Sequence, residues 1–279
     1  MKKVAVIQDM SSFGKCSLTA ALPVLSVMGV QACPLPTAIL TAQTEFPSFF
    51  CEDLTSKMSH FTEEWYKMGE SFEGILTGFV MGEEQIGHIF DFLDTFQKKE
   101  TIVLVDPVMG DQGEGYPLFT GRLLERMKEL VKRANIITPN ITECCMLTGL
   151  SYEKLHSYST AVDYLQALEE AAHLLAEETK AKVVLTGIVP PTTEQVIGNL
   201  LVADGRTAFS QQPFNGAGYS GTGDLFAATV IGGVVRGQSL AEAIQLAEQF
   251  LTAAISETYE KQISRNTGVH FEKYLKMLI

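Results

Sequence analysis

Residues Gly218–Gly237 read GYSGTGDLFAATVIGGVVRG. The stretch begins with glycines at 218, 221 and 223, carries one carboxylate at Asp224, and then becomes an apolar run with helical spacing. Glycines let the main chain come close to a bound group. A helix that starts just after them aims its free N–H groups and positive dipole end back at the loop. That is a seat for an anion, most often phosphate. Asp224 falls in the first turn, at the edge of the seat. A carboxylate beside bound phosphate is repelled unless a metal or a proton transfer makes it useful. The economical role is a general base that takes a proton from a hydroxyl while phosphate is delivered to that oxygen. A plain glycine-rich turn with Asp as a helix cap fits the same letters.

Outward from this stretch, strand-like and helix-like runs alternate along the whole chain. Strands are expected at Val4–Gln8, Gly74–Thr77, Ile102–Val105, Asn135–Ile137 and Val183–Leu185. They are short, apolar and uninterrupted, as strands buried on both faces of a parallel sheet should be. Amphipathic helices are expected at Ser17–Met28, Glu52–Met68, Glu83–Lys98, Leu118–Lys132 and Thr160–Glu178, and two more near Thr222–Val235 and Leu240–Tyr259. The alternation predicts an α/β fold: a doubly wound, mostly parallel central sheet with helices on both faces. Two segments break the rhythm. CPLPTAILTAQTEFPSFF, after Ala32, reads as strand material followed by a loop over a site. Val196–Ser210 reads as a hairpin turning at Asp204-Gly205-Arg206. Pro23 should kink or shorten its helix. With no internal repeat and no linker, the 279 residues read as a single domain, 1–279.

The formal net charge of −12 argues against nucleic acid as the main partner, because phosphate backbones demand Lys/Arg clusters. The five cysteines are odd in number and form no CxxC, which speaks against a disulfide framework and a zinc site. MKKVAVIQD reads as a first strand and not as a signal peptide. No apolar run of about 18 residues exists, so no membrane span is expected. A cytoplasmic setting fits these features. There is no GxxxxGK[ST], no HRD or DFG, and no Rossmann GxGxxG.

In such a sheet, ligands bind beyond the carboxyl ends of the strands. Polar groups and glycines gather there: Gln8 to Gly14, Asp106 to Asp111, Thr138 to Glu143, and Thr186-Gly187. Asp106, Asp111 and Glu143 are hard oxygen donors of the kind that hold Mg²⁺ through waters and substrate phosphates. Singly, they read equally as a turn cap and solvated loop charges. Asn140 can cap the following helix or touch a nucleotide phosphate. Thr138 and Thr186 offer oxygens to a monovalent cation or to phosphate.

Together these motifs resemble the ribokinase superfamily and, within it, the pyridoxal (pyridoxine, pyridoxamine) kinases. The resemblance rests on IQD after strand one, PTAILTAQT, DPVMGD at 106–111, TPNITE at 138–143, VLTG at 184–187 and SGTGDLFAA at 220–228, in the family's order. It implies ATP-dependent phosphorylation of the 5′-hydroxymethyl group of a B6 vitamer. Asp224 would be the base, and the N–H groups of Gly221, Thr222 and Gly223 the anion hole. Asp106, Asp111 and Glu143 would organise Mg²⁺ and a monovalent cation, K⁺, with Thr138 and Thr186 near the latter. Asp106, Asn140, Glu143, Thr186, Gly187, Asn215, Gly216, Ala217 and Thr222 would serve ATP. Thr44, Gln43 and Asp9 would face the pyridine ring, with Phe79 as an apolar wall. Two positions depart from the family pattern: Asp9 stands where many members have Ser, and Gln43 where they have His. A hydroxymethylpyrimidine kinase has similar motifs, and a non-catalytic B6-binding protein on the same fold is a third reading. The resemblance also implies a homodimer, with the 32–50 segment as its contact.

Overall fold

The computed structural model describes residues 1–117, 120–191 and 195–279. Its elements begin with β1 (Lys3–Ser11), α1 (Ser17–Val27), β2 (Gln31–Leu40), β3 (Cys51–Asp53), α2 (Thr55–Lys67), β4 (Gly74–Thr77) and α3 (Glu83–Phe96). There follow β5 (Ile102–Val105), β6 (Gly110–Asp111), β7 (Glu114–Gly115), α4 (Gly121–Leu130), β8 (Ile136–Ile137), α5 (Ile141–Thr148) and α6 (Tyr152–His156). The last are α7 (Ala161–Thr179), β9 (Lys182–Ile188), β10 (Val196–Ala203), β11 (Arg206–Pro213), α8 (Thr222–Val235) and α9 (Leu240–Glu260). Short 3₁₀ turns occupy Val131–Arg133, Arg265–Thr267 and Glu272–Leu278.

Nine strands form one sheet in the order β11-β10-β9-β8-β5-β4-β1-β2-β3, and β6 and β7 make a separate small hairpin. β1 runs parallel to β2 and β4, and β8 parallel to β9, while β3, β10 and β11 join antiparallel. This is the mostly parallel α/β architecture that the alternating pattern predicts. Two expected helices start three residues late. The expected helix Glu52–Met68 starts at Thr55, because Cys51–Asp53 pairs with β2 and the Asp53 carboxylate accepts the Thr55 N–H at 2.8 Å. Of the expected helix Leu118–Lys132, residues 118 and 119 lie outside those described; the helix seen starts at Gly121 with Thr120 as its cap. β2 carries Pro34 and Pro36 because β3 reaches only Ala38–Leu40, leaving the proline stretch at the sheet's edge. α1 runs through Pro23 to Val27.

Contacts divide the chain into two compact units, Met1–Leu104 with Ala217–Ile279, and Val105–Gly216. In the first, Val4–Ile7 are fully buried, and α8 packs against α1, α9 and β4. α8 is buried from Leu225 to Gly233, as a helix apolar all round must be. In the second, Val183–Leu185 of β9 and Leu168, Ala172 and Leu175 of α7 form the core. Among the described residues, no helix is long and apolar enough to cross a membrane.

Candidate active site

In the first unit, three chain segments meet at the end of β1. Asp9 is buried, and its carboxylate accepts a hydrogen bond from Ser11 Oγ at 2.8 Å. Burial pushes its pKa up, and hydrogen bonds from the Ser17 and Ser11 hydroxyls pull it partly back. Cys16 precedes α1 and is also buried. Its thiol is pushed up by burial first, and then by the negative charges of Asp224 and Asp9. Asp224 and Asp9 thus act on one sulfur, which ties the first turn of α8 to the end of β1.

Asp224 lies half-buried in the first turn of α8, three residues after the cap position. That cap is Gly221, in the left-handed region at φ 78°, with no side chain to satisfy the helix's first N–H groups. A Cβ at Gly221 would lie 2.1 Å from the Lys15 carbonyl oxygen, so the glycine loop rests directly on the Gly14-Lys15 turn. The Thr222 hydroxyl donates to the Tyr219 carbonyl at 2.7 Å, and Gly223 is exposed. The helix start that the glycines predict is therefore present; its Thr222 N–H makes a long bond to the Tyr219 carbonyl at 3.4 Å, and no side chain caps the turn.

Nearby in chain terms, Gln43 is buried and engaged at both ends of its amide. Its oxygen accepts the Glu45 N–H at 2.7 Å, and its nitrogen donates to the Asn266 carbonyl at 3.4 Å. Both ends of the Gln43 amide thus help to fix the shape of its loop. Thr44, between these held residues, is half-buried. Phe79 follows β4, half-buried, and its carbonyl accepts from the Thr37 hydroxyl at 3.0 Å.

In the second unit, Asp106 ends β5 in a buried position and accepts from Thr138 Oγ1 at 2.9 Å. Glu143 is buried in the first turn of α5; its carboxylate accepts the N–H groups of Asn140 at 2.9 Å and Met109 at 3.2 Å. Asn140 completes a capping box: its side-chain oxygen takes the Glu143 N–H at 2.9 Å, and its amide donates to the Gly110 carbonyl at 2.8 Å. Asn140 therefore serves as a helix cap in this structure. It bridges to Thr186 at the end of β9, whose N–H donates to the Pro139 carbonyl at 2.9 Å. Gly187 follows, exposed. Asn215 is half-buried and Gly216 exposed at this unit's end; Ala217, half-buried, opens the return to the first unit.

Asp111 lies half-buried on the small hairpin, accepts the Gln112 N–H at 2.9 Å, and adds its negative charge to the field that raises Glu143. Among the described residues, no three His, Cys, Asp or Glu converge to hold a metal. Each Glu143 oxygen accepts one backbone N–H, from Met109 and from Asn140, and keeps a further lone pair. The donor set still suits a cation bound through waters. Burial raises Asp106 to about 6, and Glu143 is raised well above the usual carboxylate range by burial first and then by the charge of Asp106. Burial of both acids, and the charge of Asp106 acting on Glu143, disfavour their ionised forms.

Sequence reading missed Ser11, Ser17 and Cys16 around Asp9. Two hydroxyls so close to a strand-end carboxylate are the signal that would have found them. It also missed Asn266, which no local motif marks.

A family described as phosphomethylpyrimidine kinase matches residues 12–269. The chain belongs to that family. It is a kinase of the group that contains both pyridoxal kinases and hydroxymethylpyrimidine kinases. The kinase is 33% identical to a phosphomethylpyrimidine kinase-type protein of Bacteroides thetaiotaomicron crystallised with pyridoxal, at a TM-score of 0.92 over 99% of this chain and 95% of that one. It is 28% identical to the pyridoxal kinase of Lactobacillus plantarum, at a TM-score of 0.88 over 100% of this chain and 96% of that one. A relative named hydroxymethylpyrimidine/phosphomethylpyrimidine kinase, from Haemophilus influenzae, is 29% identical over 260 residues, which is 92% of this chain and 91% of that protein.

The buried acids of this kinase give a pH signature. Folded Asp106 keeps its proton to about 6, while the unfolded chain releases it near 3.8. Between those values the folded state binds more protons, so stability of the metal-free protein falls as pH rises from about 4 to about 6. Denaturant unfolding across that range should show the slope, and Asp106→Asn should make it shallower, the remainder belonging to buried Glu143. An identical slope in Asp106→Asn would remove Asp106 as its source.

Proposed function

We propose that this kinase transfers the γ-phosphoryl group of ATP to the 5′-hydroxymethyl oxygen of pyridoxal, pyridoxine or pyridoxamine. The observation that carries this reading is the pyridoxal held by the Bacteroides relative, which shares 33% of its residues and nearly the whole fold with this chain. Asp224 takes the proton of the acceptor alcohol, whose oxygen forms the new P–O bond as ADP leaves. The N–H groups of Gly221, Thr222 and Gly223 receive the travelling phosphoryl. Asp9 and Thr44 face the pyridine ring, and Phe79 supplies an apolar wall. Asn140, Thr186, Gly187 and the Asn215–Ala217 stretch contact ATP. Mg²⁺ bound through water near Asp106, Glu143 and Asp111 would neutralise phosphate charge, and K⁺ would lie near Thr138 and Thr186.

A second reading is supported by the family description and by the Haemophilus relative: phosphorylation of hydroxymethylpyrimidine, again at a ring-borne hydroxymethyl group. An ADP-release assay across pyridoxal, pyridoxine, pyridoxamine and hydroxymethylpyrimidine separates the two. The expected result is the highest kcat/KM with a B6 vitamer, and in Asp9→Ser a changed KM for at least one vitamer. A preference for hydroxymethylpyrimidine would replace the first reading with the second. Pyridoxal binding without ATP turnover would make the protein a carrier.

The exposed side chains Met10, Phe13, Ile39, Phe49 and Phe50 support a homodimer formed through the 32–50 region, with Met10 and Ile39 paired on adjacent strands. Light scattering should then give twice the chain mass; the mass of one chain would discard the dimer.

A further inference from the structure

The 3₁₀ turn Arg265–Thr267 belongs to the first unit and touches two of its loops at once. Asn266 Nδ2 donates to the Glu45 carbonyl at 2.7 Å, a contact spanning 221 residues of chain. The Asn266 carbonyl accepts from Gln43 Nε2 at 3.4 Å, and Gln43 Oε1 takes the Glu45 N–H at 2.7 Å. Thr44 is thereby set between two residues that the same asparagine holds. Arg265 adds an ion pair, its Nε 3.5 Å from Glu45 Oε2. The Arg265 carbonyl also accepts the Ser220 N–H at 3.2 Å, one residue before Gly221. Just after the turn, a Cβ at Gly268 would lie 2.1 Å from the Gly14 carbonyl oxygen, and Lys15 Nζ pairs with Glu272 at 2.7 Å. The turn is thus pressed onto the same Gly14-Lys15 segment that supports Gly221.

We infer that Asn266 is a positioning residue for the acceptor: the Arg265–Thr267 turn clasps the Gln43–Glu45 loop and the Ser220–Gly221 loop and fixes Thr44 relative to the anion seat. The inference rests on the reading of Thr44 and Gly221 as parts of the acceptor and phosphoryl sites. Asn266 is only half-buried, so trimming it removes little packing. Losing one hydrogen bond at a half-exposed site leaves global stability nearly unchanged. Its larger effect is on placement, since a misplacement of about an ångström at the reacting groups costs up to about 100-fold.

Asn266→Ala and Asn266→Asp both remove the donor to Glu45, the second with almost unchanged shape. Two measurements read the result. Hydrogen–deuterium exchange without ligands should quicken about tenfold in residues 41–50 and 218–222 and stay unchanged in α9. Kinetics with whichever acceptor the wild type uses best should show KM for that acceptor raised about tenfold, with KM for ATP unchanged and melting within a few degrees of wild type. Wild-type exchange in both loops would overturn the clasp itself. Faster exchange with unchanged acceptor KM would overturn the assignment of these loops to the acceptor, and would count against the reading of Thr44. Activity lost in proportion to folded protein, with KM unmoved, would reduce Asn266 to a structural role. If Asn266→Ala does not fold, Asn266→Asp carries both readouts.

Discussion

Asp224→Asn is expected to lower kcat by about 10²- to 10⁴-fold and to leave KM for ATP within about twofold of wild type. The amide matches the carboxylate in size and keeps the first turn of α8 in place. It cannot accept a proton from an alcohol. Removing a base acts on the chemical step alone, which is why kcat and kcat/KM for the acceptor should fall together. The bland alternative makes a different forecast. If Asp224 only complemented the helix dipole, its loss would cost about 0.3–1 kcal/mol of stability and leave turnover alone. The cap position itself belongs to Gly221, so Asp224 is not needed as a cap. ADP release at saturating pyridoxal decides between them, and turnover within threefold of wild type would end the base assignment. Asp224→Ala should resemble Asp224→Asn in rate, because the missing property is basicity and not volume.

What the sequence displayed, and what it concealed, follows from the range of the interactions. β4 and β5 fall on the residues that apolar runs mark, Gly74–Thr77 and Ile102–Val105, because a strand buried on both faces must be apolar at each position. α8 was legible for the same reason, since a glycine stop before a wholly apolar run leaves little choice. β3 was not legible: Cys51–Asp53 is three residues long and exists only because β2 offers an edge. The acids at 106 and 143 could be read as neighbours from their strand ends, but the way Asp111 is held could not be read. Its side chain is held by a local N–H on a two-residue strand, a feature with no periodicity to betray it. Asn266 was hidden more deeply, since its partners lie over two hundred residues away and its own turn is a short 3₁₀ segment.

Gly221→Ala is expected to lose turnover by about 10²-fold or more and to destabilise the protein by about 2–5 kcal/mol. Two costs combine. A non-glycine residue in the left-handed region is disfavoured by roughly 1–2 kcal/mol, and Gly221 sits at φ 78°. The added methyl would also stand 2.1 Å from the Lys15 carbonyl oxygen, a main-chain atom. Lys15 is itself left-handed at φ 51°, and its ammonium is paired with Glu272, so the carbonyl has little room to retreat. Overpacking of this kind costs about 1–3 kcal/mol. The strain is relieved by pushing the start of α8 away from the turn, which shifts the N–H groups at Thr222 and Gly223. Donors displaced from a developing negative charge cost about 10²- to 10³-fold in rate. Gly149→Ala separates the two costs. Gly149 ends α5 at φ 77° with open space around its Cβ position, so that variant should lose only about 1–2 kcal/mol and keep its kcat. Thermal melting and ADP release on both variants give the comparison. If Gly221→Ala melts low yet turns over like Gly149→Ala, the glycine loop is a structural joint and the phosphoryl group is received elsewhere.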